Sequence, residues 1–270
     1  MTEKHLFLSD LDGTLLDDKK RVTPATASAL SRFVEGGGHF AICTGRDINS
    51  ARSVYKGLGF NFRGSYVVAY NGGQIYDVDG GETIFRIGIE PWLVKELFEQ
   101  AKAHGVYIHT YNDDFILTQQ NGECIEYYRR VIKTPVILAD DVMPYVNVPP
   151  CKMISIELHD HAKQDEFAEA MREKYGDILD IMYSNDYYLE FIPRESGKGS
   201  ALIRLAEKLG IDRKNTLAAG DAENDISMIE AAGLGIAMCN AAEVVKKAAD
   251  IVTETDNNHD GLAPVLERFV

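Results

Sequence analysis

The stretch Leu6-Phe7-Leu8-Ser9-Asp10-Leu11-Asp12-Gly13-Thr14 decides the fold. The apolar run from His5 to Ser9 reads as a short buried strand. Two carboxylates, Asp10 and Asp12, stand two residues apart at its mouth, and side chains at i and i+2 share a face. Gly13 lets the chain turn sharply there, and Thr14 adds a hydroxyl to hold the turn. Paired carboxylates repel, so the pair implies a bound cation, a shared proton, or both. The plain alternative is an acidic turn closing a strand. Average residue usage makes this four-residue spacing a chance event in only about a few chains per thousand, which favours the chemical reading.

Outward from this stretch, strand and helix signals alternate. Thr23-Pro24 reads as an N-cap with proline at the first helical position, opening a helix to about Glu35 that Gly36-Gly37-Gly38 stops. His39–Cys43 is a second strand ending at Thr44-Gly45-Arg46, and Asp47 begins a helix to about Leu58. Tyr66–Tyr70 is a third strand, ending at Asn71-Gly72-Gly73. This rhythm predicts a parallel sheet with helices on both faces. From 83 to 191 it changes to strand-like runs (83–89, 106–111, 115–118, 153–158, 187–192) with two helices, 91–103 and 162–175. An inserted α+β module on a mostly antiparallel sheet is expected. After Pro193 the α/β rhythm returns: a helix to Leu209, strand 216–219, a helix 223–232, strand 234–238, a helix 241–248, strand 251–252 and a terminal helix. The reading is a discontinuous core, 1–82 with 192–270, split by the 83–191 module.

The 270 residues are 45% apolar, enough for a full hydrophobic core. A net charge of −14 argues against a nucleic-acid partner, because polyanions are repelled. Asp18-Lys19-Lys20-Arg21 is too short to offset that charge and reads as a solvated loop. Cys43, Cys124, Cys151 and Cys239 have no metal-type spacing. Cys43, Cys151 and Cys239 lie in or beside apolar runs and are expected as buried reduced thiols. No signal peptide or membrane span is evident, so a soluble cytoplasmic protein with no membrane partner is expected.

In an open parallel sheet, ligands bind at the carboxyl ends of strands. Asp10 and Asp12, Thr44-Gly45-Arg46, Asn71, and Gly220-Asp221-Ala222-Glu223-Asn224-Asp225 all fall at such ends, which predicts one shared site. Asp225 fits a first-turn carboxylate favoured by the helix dipole, whereas Asp221 sits in the turn itself and reads as a ligand. Lys198 stands at a helix start, where the dipole disfavours a cation. Between Gly197 and Gly199, it reads alone as a solvated lysine beside a flexible turn; with acidic metal ligands elsewhere, it and nearby backbone N–H groups are suited to hold an anion. Thr44 and Gly45 add a hydroxyl and a backbone N–H. Arg46 either reaches substrate or pairs with an acid.

Asp-x-Asp-Gly-Thr, a strand-end Thr-Gly-Arg, a lysine before a late helix, and Gly-Asp-x-x-Asn-Asp, in that order, resemble the haloacid dehalogenase superfamily of phosphatases. The module between the second and third motifs resembles its large cap type. Asn71-Gly72, Asn224-Asp225-x-x-Met228, Ala237-Met238-x-Asn240-Ala241 and Asp260-Gly261 resemble the Cof-like sugar-phosphatase branch. The resemblance spans the core, and in the module it rests on position and pattern. It implies a Rossmann-like, doubly wound core and a Mg²⁺-dependent phosphatase acting on small phosphorylated metabolites such as sugar phosphates. Asp10 is then the nucleophile that forms an aspartyl-phosphate, and Asp12 the acid that serves the leaving alcohol and then the base for water. The Asp10 carboxylate, the Asp12 carbonyl and Asp221 would hold Mg²⁺. Thr44 and Lys198, with N–H groups near Leu11 and Gly45, would hold the phosphoryl oxygens. Asn224 would contact phosphate, and Asp225 would support Lys198 or the metal. Two other functions share this chemistry: a phosphomutase or phosphotransferase passing the phosphoryl group to another acceptor, and a non-enzymatic phospho-acceptor signalling module.

Overall fold

In the computed structural model, which describes residues 4–60, 62–132 and 134–270, the apolar run before Asp10 forms β1 (Leu6–Ser9), buried throughout. There follow α1 (Pro24–Glu35), β2 (His39–Cys43), α2 (Ile48–Gly57), β3 (Ser65–Ala69), β4 (Gln74–Asp77) and β5 (Glu82–Arg86). The middle contains α3 (Pro91–His104), β6 (Tyr107–Tyr111), β7 (Ile116–Thr118), α4 (Glu123–Val131), β8 (Val136–Leu138), β9 (Met153–Ile156), α5 (His161–Tyr175), β10 (Leu179–Tyr183) and β11 (Tyr188–Pro193). The last part contains α6 (Lys198–Leu209), β12 (Thr216–Gly220), α7 (Ile226–Ala231), β13 (Leu234–Ala237), α8 (Glu243–Ala248), β14 (Ile251–Val252) and α9 (Ala263–Leu266).

By packing, the chain divides into two units, Met1–Phe85 with Gly197–Val270, and Arg86–Ser196. The first unit is built on an eight-stranded sheet in the order β14-β13-β12-β1-β2-β3-β4-β5. β1 lies at its centre, between β12 and β2, and every pairing from β14 to β3 is parallel. The strand order reverses at β1, which puts its carboxyl end at the switch point where α/β sheets bind ligands. Alternation along β1 sorts its side chains between two layers. Leu6 and Leu8 join Ala41, Cys43 and Val68 against Leu202 and Leu205 of α6 and Met228 of α7. Phe7 points the other way, 5.9 Å from the Phe40 ring and 6.3 Å from Phe33 of α1. Cys43 is buried in this core, while Cys239 is half-buried rather than buried as expected.

The second unit has a six-stranded sheet in the order β10-β11-β9-β6-β7-β8. Its pairings are antiparallel except for β7 with β8. Leu97 and Phe98 of α3 and Phe167 and Met171 of α5 pack with Ile108, Met153 and Phe191 of the sheet.

Three expectations need correction. The run 83–89, read as opening the inserted module, instead supplies β5, the edge strand of the eight-stranded sheet. A tight turn near Gly80-Gly81 returns the chain onto β4 at little loop-closure cost, and Ile84 and Phe85 pack on the first unit's core. The helix expected from Glu223 begins as a 3₁₀ turn, Glu223–Asp225, and becomes α-helical only at Ile226. Finally, β4, α4, β8 and β10 were not anticipated. β4 and β8 span only four and three residues, and α4 buries Ile125 and Tyr128 alone among its described side chains, too few to show a helical period.

Candidate active site

Three loops at the carboxyl ends of β1, β2 and β12 and the first turn of α6 meet around Asp10. The backbone N–H of Asp10 donates to the Ala219 carbonyl at 2.9 Å, which continues the β1–β12 ladder into the site. Lys198, the first residue of α6, has a fully buried side chain. Its Nζ donates to Asp10 Oδ1 and to Asp225 Oδ1, both at 2.6 Å. Asp225 Oδ2 accepts the backbone N–H groups of Asp221 and Ala222, each at 3.0 Å, which is why the chain turns there before becoming helical. Thr14 Oγ1 donates to Asp221 Oδ1 at 2.7 Å. Gly13 has φ +87°, and a Cβ there would lie 2.5 Å from Asp221 Oδ2. The two acidic motifs, 207 residues apart at the Thr14–Asp221 bond, thus pack on each other.

Oxygens of Asp10, Asp221 and Asp225 lie within 4.8 Å of one another. Three carboxylates against one ammonium leave an excess of negative charge. Burial pushes the Asp10 carboxyl up to about 7, against the lowering effect of Lys198 and with a further rise from Asp225. Burial also raises Asp221, partly offset by its bond from Thr14. Burial disfavours the Lys198 ammonium, yet Asp10 and Asp225 outweigh it and keep it charged. The donor set suits a hard divalent cation. The described hydrogen bonds engage one carboxylate oxygen of Asp10 and one of Asp221, whereas both oxygens of Asp225 are committed.

Asp12 faces a different environment. Its Oδ2 accepts Arg46 Nε at 3.2 Å and Arg46 Nη2 at 2.7 Å, and its Oδ1 accepts Lys20 Nζ at 2.6 Å. Partial burial alone would raise its pKa, but the bonds from Lys20 and Arg46 prevail and hold it below the usual carboxylate value. Arg46 therefore pairs with an acid. Lys20, read as part of a solvated loop, reaches Asp12, and the sequence holds no periodic signal that links the two.

Thr44 is buried at the end of β2, its Oγ1 accepting the Arg46 N–H at 3.3 Å and its carbonyl the Asn71 N–H at 3.0 Å. Asn71, with φ 53° and ψ 35°, accepts Asn224 Nδ2 on its Oδ1 at 3.1 Å. Gly45 lies beneath that side chain, where a Cβ would stand 3.1 Å from Asn71 Oδ1. Leu11 is fully buried, its carbonyl accepting the Leu16 N–H at 2.9 Å. Gly199, the neighbour of Lys198, donates its N–H to Ser227 Oγ at 3.2 Å, and a Cβ there would lie 2.3 Å from the Ser227 carbonyl oxygen. It is there for close packing of α6 on α7.

In the second unit, Asp160 caps α5 by accepting the Lys163 N–H, His159 pairs with Glu123, and Asp113 pairs with Arg86. These are structural contacts. Among the described residues no helix is long and apolar enough to cross a membrane.

Residues 7–266 match the family of haloacid dehalogenase-like hydrolases. The phosphatase YwpJ of Bacillus subtilis is 29% identical over 288 residues, covering 98% of this chain and 99% of its own. The 5-amino-6-(5-phospho-D-ribitylamino)uracil phosphatase YwtE of the same organism is 28% identical, covering 97% of this chain and 96% of its own. The crystal structure of a haloacid dehalogenase-like hydrolase from Bacteroides thetaiotaomicron superposes with a TM-score of 0.87 at 29% identity, over 99% of this chain and 100% of that one.

Proposed function

The chain belongs to the haloacid dehalogenase-like hydrolases and is a phosphatase, and on that premise we propose that it hydrolyses small phosphomonoesters through a phosphoryl group carried on Asp10. The observation that carries this reading is the buried Lys198, held between Asp10 and Asp225 at 2.6 Å beside Asp221. A buried ammonium fixed on a strand-end carboxylate marks where an anionic group can be received without water.

In the first step a carboxylate oxygen of Asp10 attacks phosphorus and the bond to the alcohol oxygen breaks. Asp12, a carboxylate in the free site, takes the proton that a monoanionic phosphomonoester carries and passes it to the departing oxygen. In the second step the Asp12 carboxylate takes a proton from water, whose oxygen bonds to phosphorus as the bond to Asp10 breaks. Lys198 and Thr44 hold the phosphoryl oxygens, helped by backbone N–H groups near Leu11 and Gly45, while Asn71 and Asn224 line the same side. Asp10, the Asp12 carbonyl and Asp221 would hold Mg²⁺, which would supply charge neutralisation at the phosphoryl group. Thr14 and Asp225 orient Asp221 and Lys198.

For the leaving group, the reading is a sugar or sugar-alcohol phosphate. Support comes from YwtE, named for a substrate with a phosphorylated ribityl chain. Because an acidic surface repels polyanions, small substrates fit better than nucleic acids.

The test is Asp10→Asn, nearly isosteric but without a nucleophilic carboxylate. It should lower turnover by at least about 10³-fold while circular dichroism stays unchanged. Acid quenching of the native enzyme during turnover should trap one phosphoryl group on the peptide that contains Asp10. Full activity in the folded variant would reject Asp10 as nucleophile.

A further inference from the structure

The loop after the first acidic motif, 13–21, is built more firmly than a solvated connection requires. The Asp17 side chain is 11% exposed, and its Oδ1 accepts the N–H groups of Lys19 at 2.9 Å and Arg21 at 2.8 Å. Its backbone closes the turn in both directions, with Asp17 N–H on the Arg21 carbonyl at 2.7 Å and Lys20 N–H on the Asp17 carbonyl at 2.8 Å. Three asparagines from distant segments tie the loop down. Asn240 Nδ2 donates to the Gly13 carbonyl at 2.8 Å, Asn257 Nδ2 to the Leu16 carbonyl at 2.7 Å, and Asn258 Oδ1 accepts the Asp18 N–H at 3.0 Å. The last two belong to the segment just before Asp260-Gly261, for which the chemistry above has no use.

All this structure holds Lys20 in the left-handed region, φ +59°, where a residue with a Cβ is strained. From there Nζ reaches Asp12 Oδ1 at 2.6 Å. The lysine side chain is 62% exposed and the aspartate 41%, and ion pairs so exposed add little to stability. The stability of this ion pair therefore does not account for a strained lysine in a loop that three asparagines brace elsewhere, at Gly13, Leu16 and Asp18. Strain of this kind is found where the position of a group matters.

We propose that Lys20 is a positioning residue for Asp12, acting in the second step of the reaction proposed above, on which this inference rests. With Arg46 on Oδ2 and Lys20 on Oδ1, Asp12 is oriented as a carboxylate by three N–H donors. The step that needs a fixed carboxylate there is the one in which Asp12 takes a proton from water. The water oxygen then bonds to phosphorus, the phosphorus–Asp10 bond breaks, and inorganic phosphate leaves. Loss of Lys20 leaves Asp12 to turn about its side-chain bonds, so breakdown of the phosphoenzyme slows while its formation from a good leaving group does not.

The experiment compares the native enzyme with Lys20→Met, Lys20→Arg and Asn257→Ala on para-nitrophenyl phosphate at saturating Mg²⁺, with acid-quench measurement of protein-bound phosphate. Lys20→Met should lower kcat about tenfold and KM in parallel, leaving kcat/KM within about twofold, because kcat/KM reports phosphoenzyme formation. The trapped phosphoenzyme should rise, and Lys20→Arg should restore both values. Asn257→Ala, with folding checked by its melting temperature, should show the same pattern more weakly. Native kinetics in Lys20→Met, or a fall in kcat/KM matching kcat with no rise in trapped phosphate, would overturn the proposal and leave the reaction scheme standing. Absence of protein-bound phosphate in every variant, with Asp12→Asn included as a control, would instead remove the phosphoenzyme and the proposal together.

Discussion

Asp10 differs from an ordinary carboxyl in its protonation. Its carboxyl is raised to about 7 in the metal-free protein, chiefly by burial. Below that value it is protonated and can neither attack phosphorus nor hold a cation. Metal affinity should therefore fall about tenfold per unit as pH drops below about 7, and metal binding there should release a proton. Calorimetry in buffers of different ionisation enthalpy measures that release. In pH–rate profiles, more Mg²⁺ should move the acid limb to lower pH, because the cation competes with the proton; a limb independent of metal would exclude Asp10 as the shared group. The same shift has a stability consequence. Between the unfolded carboxyl value, roughly 4, and about 7, the folded protein binds more protons than the unfolded one, so this group's contribution to stability falls as pH rises through that window. That Asp10, Asp12, Asp221 and Lys198 would fall near one another was legible in the sequence, because three stand at strand ends and the fourth at a helix start. Lys20 was not, since its partner depends on a left-handed backbone angle that no local pattern announces.

At the scale of elements, the loops between strand and helix set the geometry. Gly13 is subject to two constraints, a positive φ and contact with Asp221, whereas Gly37, with φ +97°, has open space where a Cβ would stand. Gly37→Ala should thus cost only backbone strain, on the order of 1 kcal/mol. Gly13→Ala should cost more, about 2–3 kcal/mol, and weaken metal binding by displacing Asp221. Thermal denaturation of the two variants, with and without Mg²⁺, separates strain from clash; equal losses would show that the Asp221 contact yields freely. The β1, β2, β3 and β12 strands were legible as apolar runs ending in polar turns. The β4–β5 extension was not, because Gln74-Ile75-Tyr76-Asp77 is short and half polar, and becomes a strand only by pairing with β3.

Over the whole molecule, every group proposed for the chemistry lies in the unit formed by Met1–Phe85 and Gly197–Val270. The inserted unit, Arg86–Ser196, is proposed to choose among leaving groups. Substitutions of polar side chains on its sheet should change kcat/KM among sugar phosphates by roughly tenfold or more, yet alter hydrolysis of acetyl phosphate by less than about twofold. A folded variant of this unit that lost acetyl phosphatase activity would show that the unit supplies a catalytic group. The sequence by itself determined the α/β class, the split core and the main acids, since strand periodicity and strand-end motifs are written in neighbouring residues. Only the tertiary structure decided that Asp225 spends both oxygens on Lys198 and the Asp221 turn, that Gly199 serves packing, and that Lys20 meets Asp12. Each of these depends on which buried polar groups find partners across the fold, and that is settled when distant segments close on one another and exclude water.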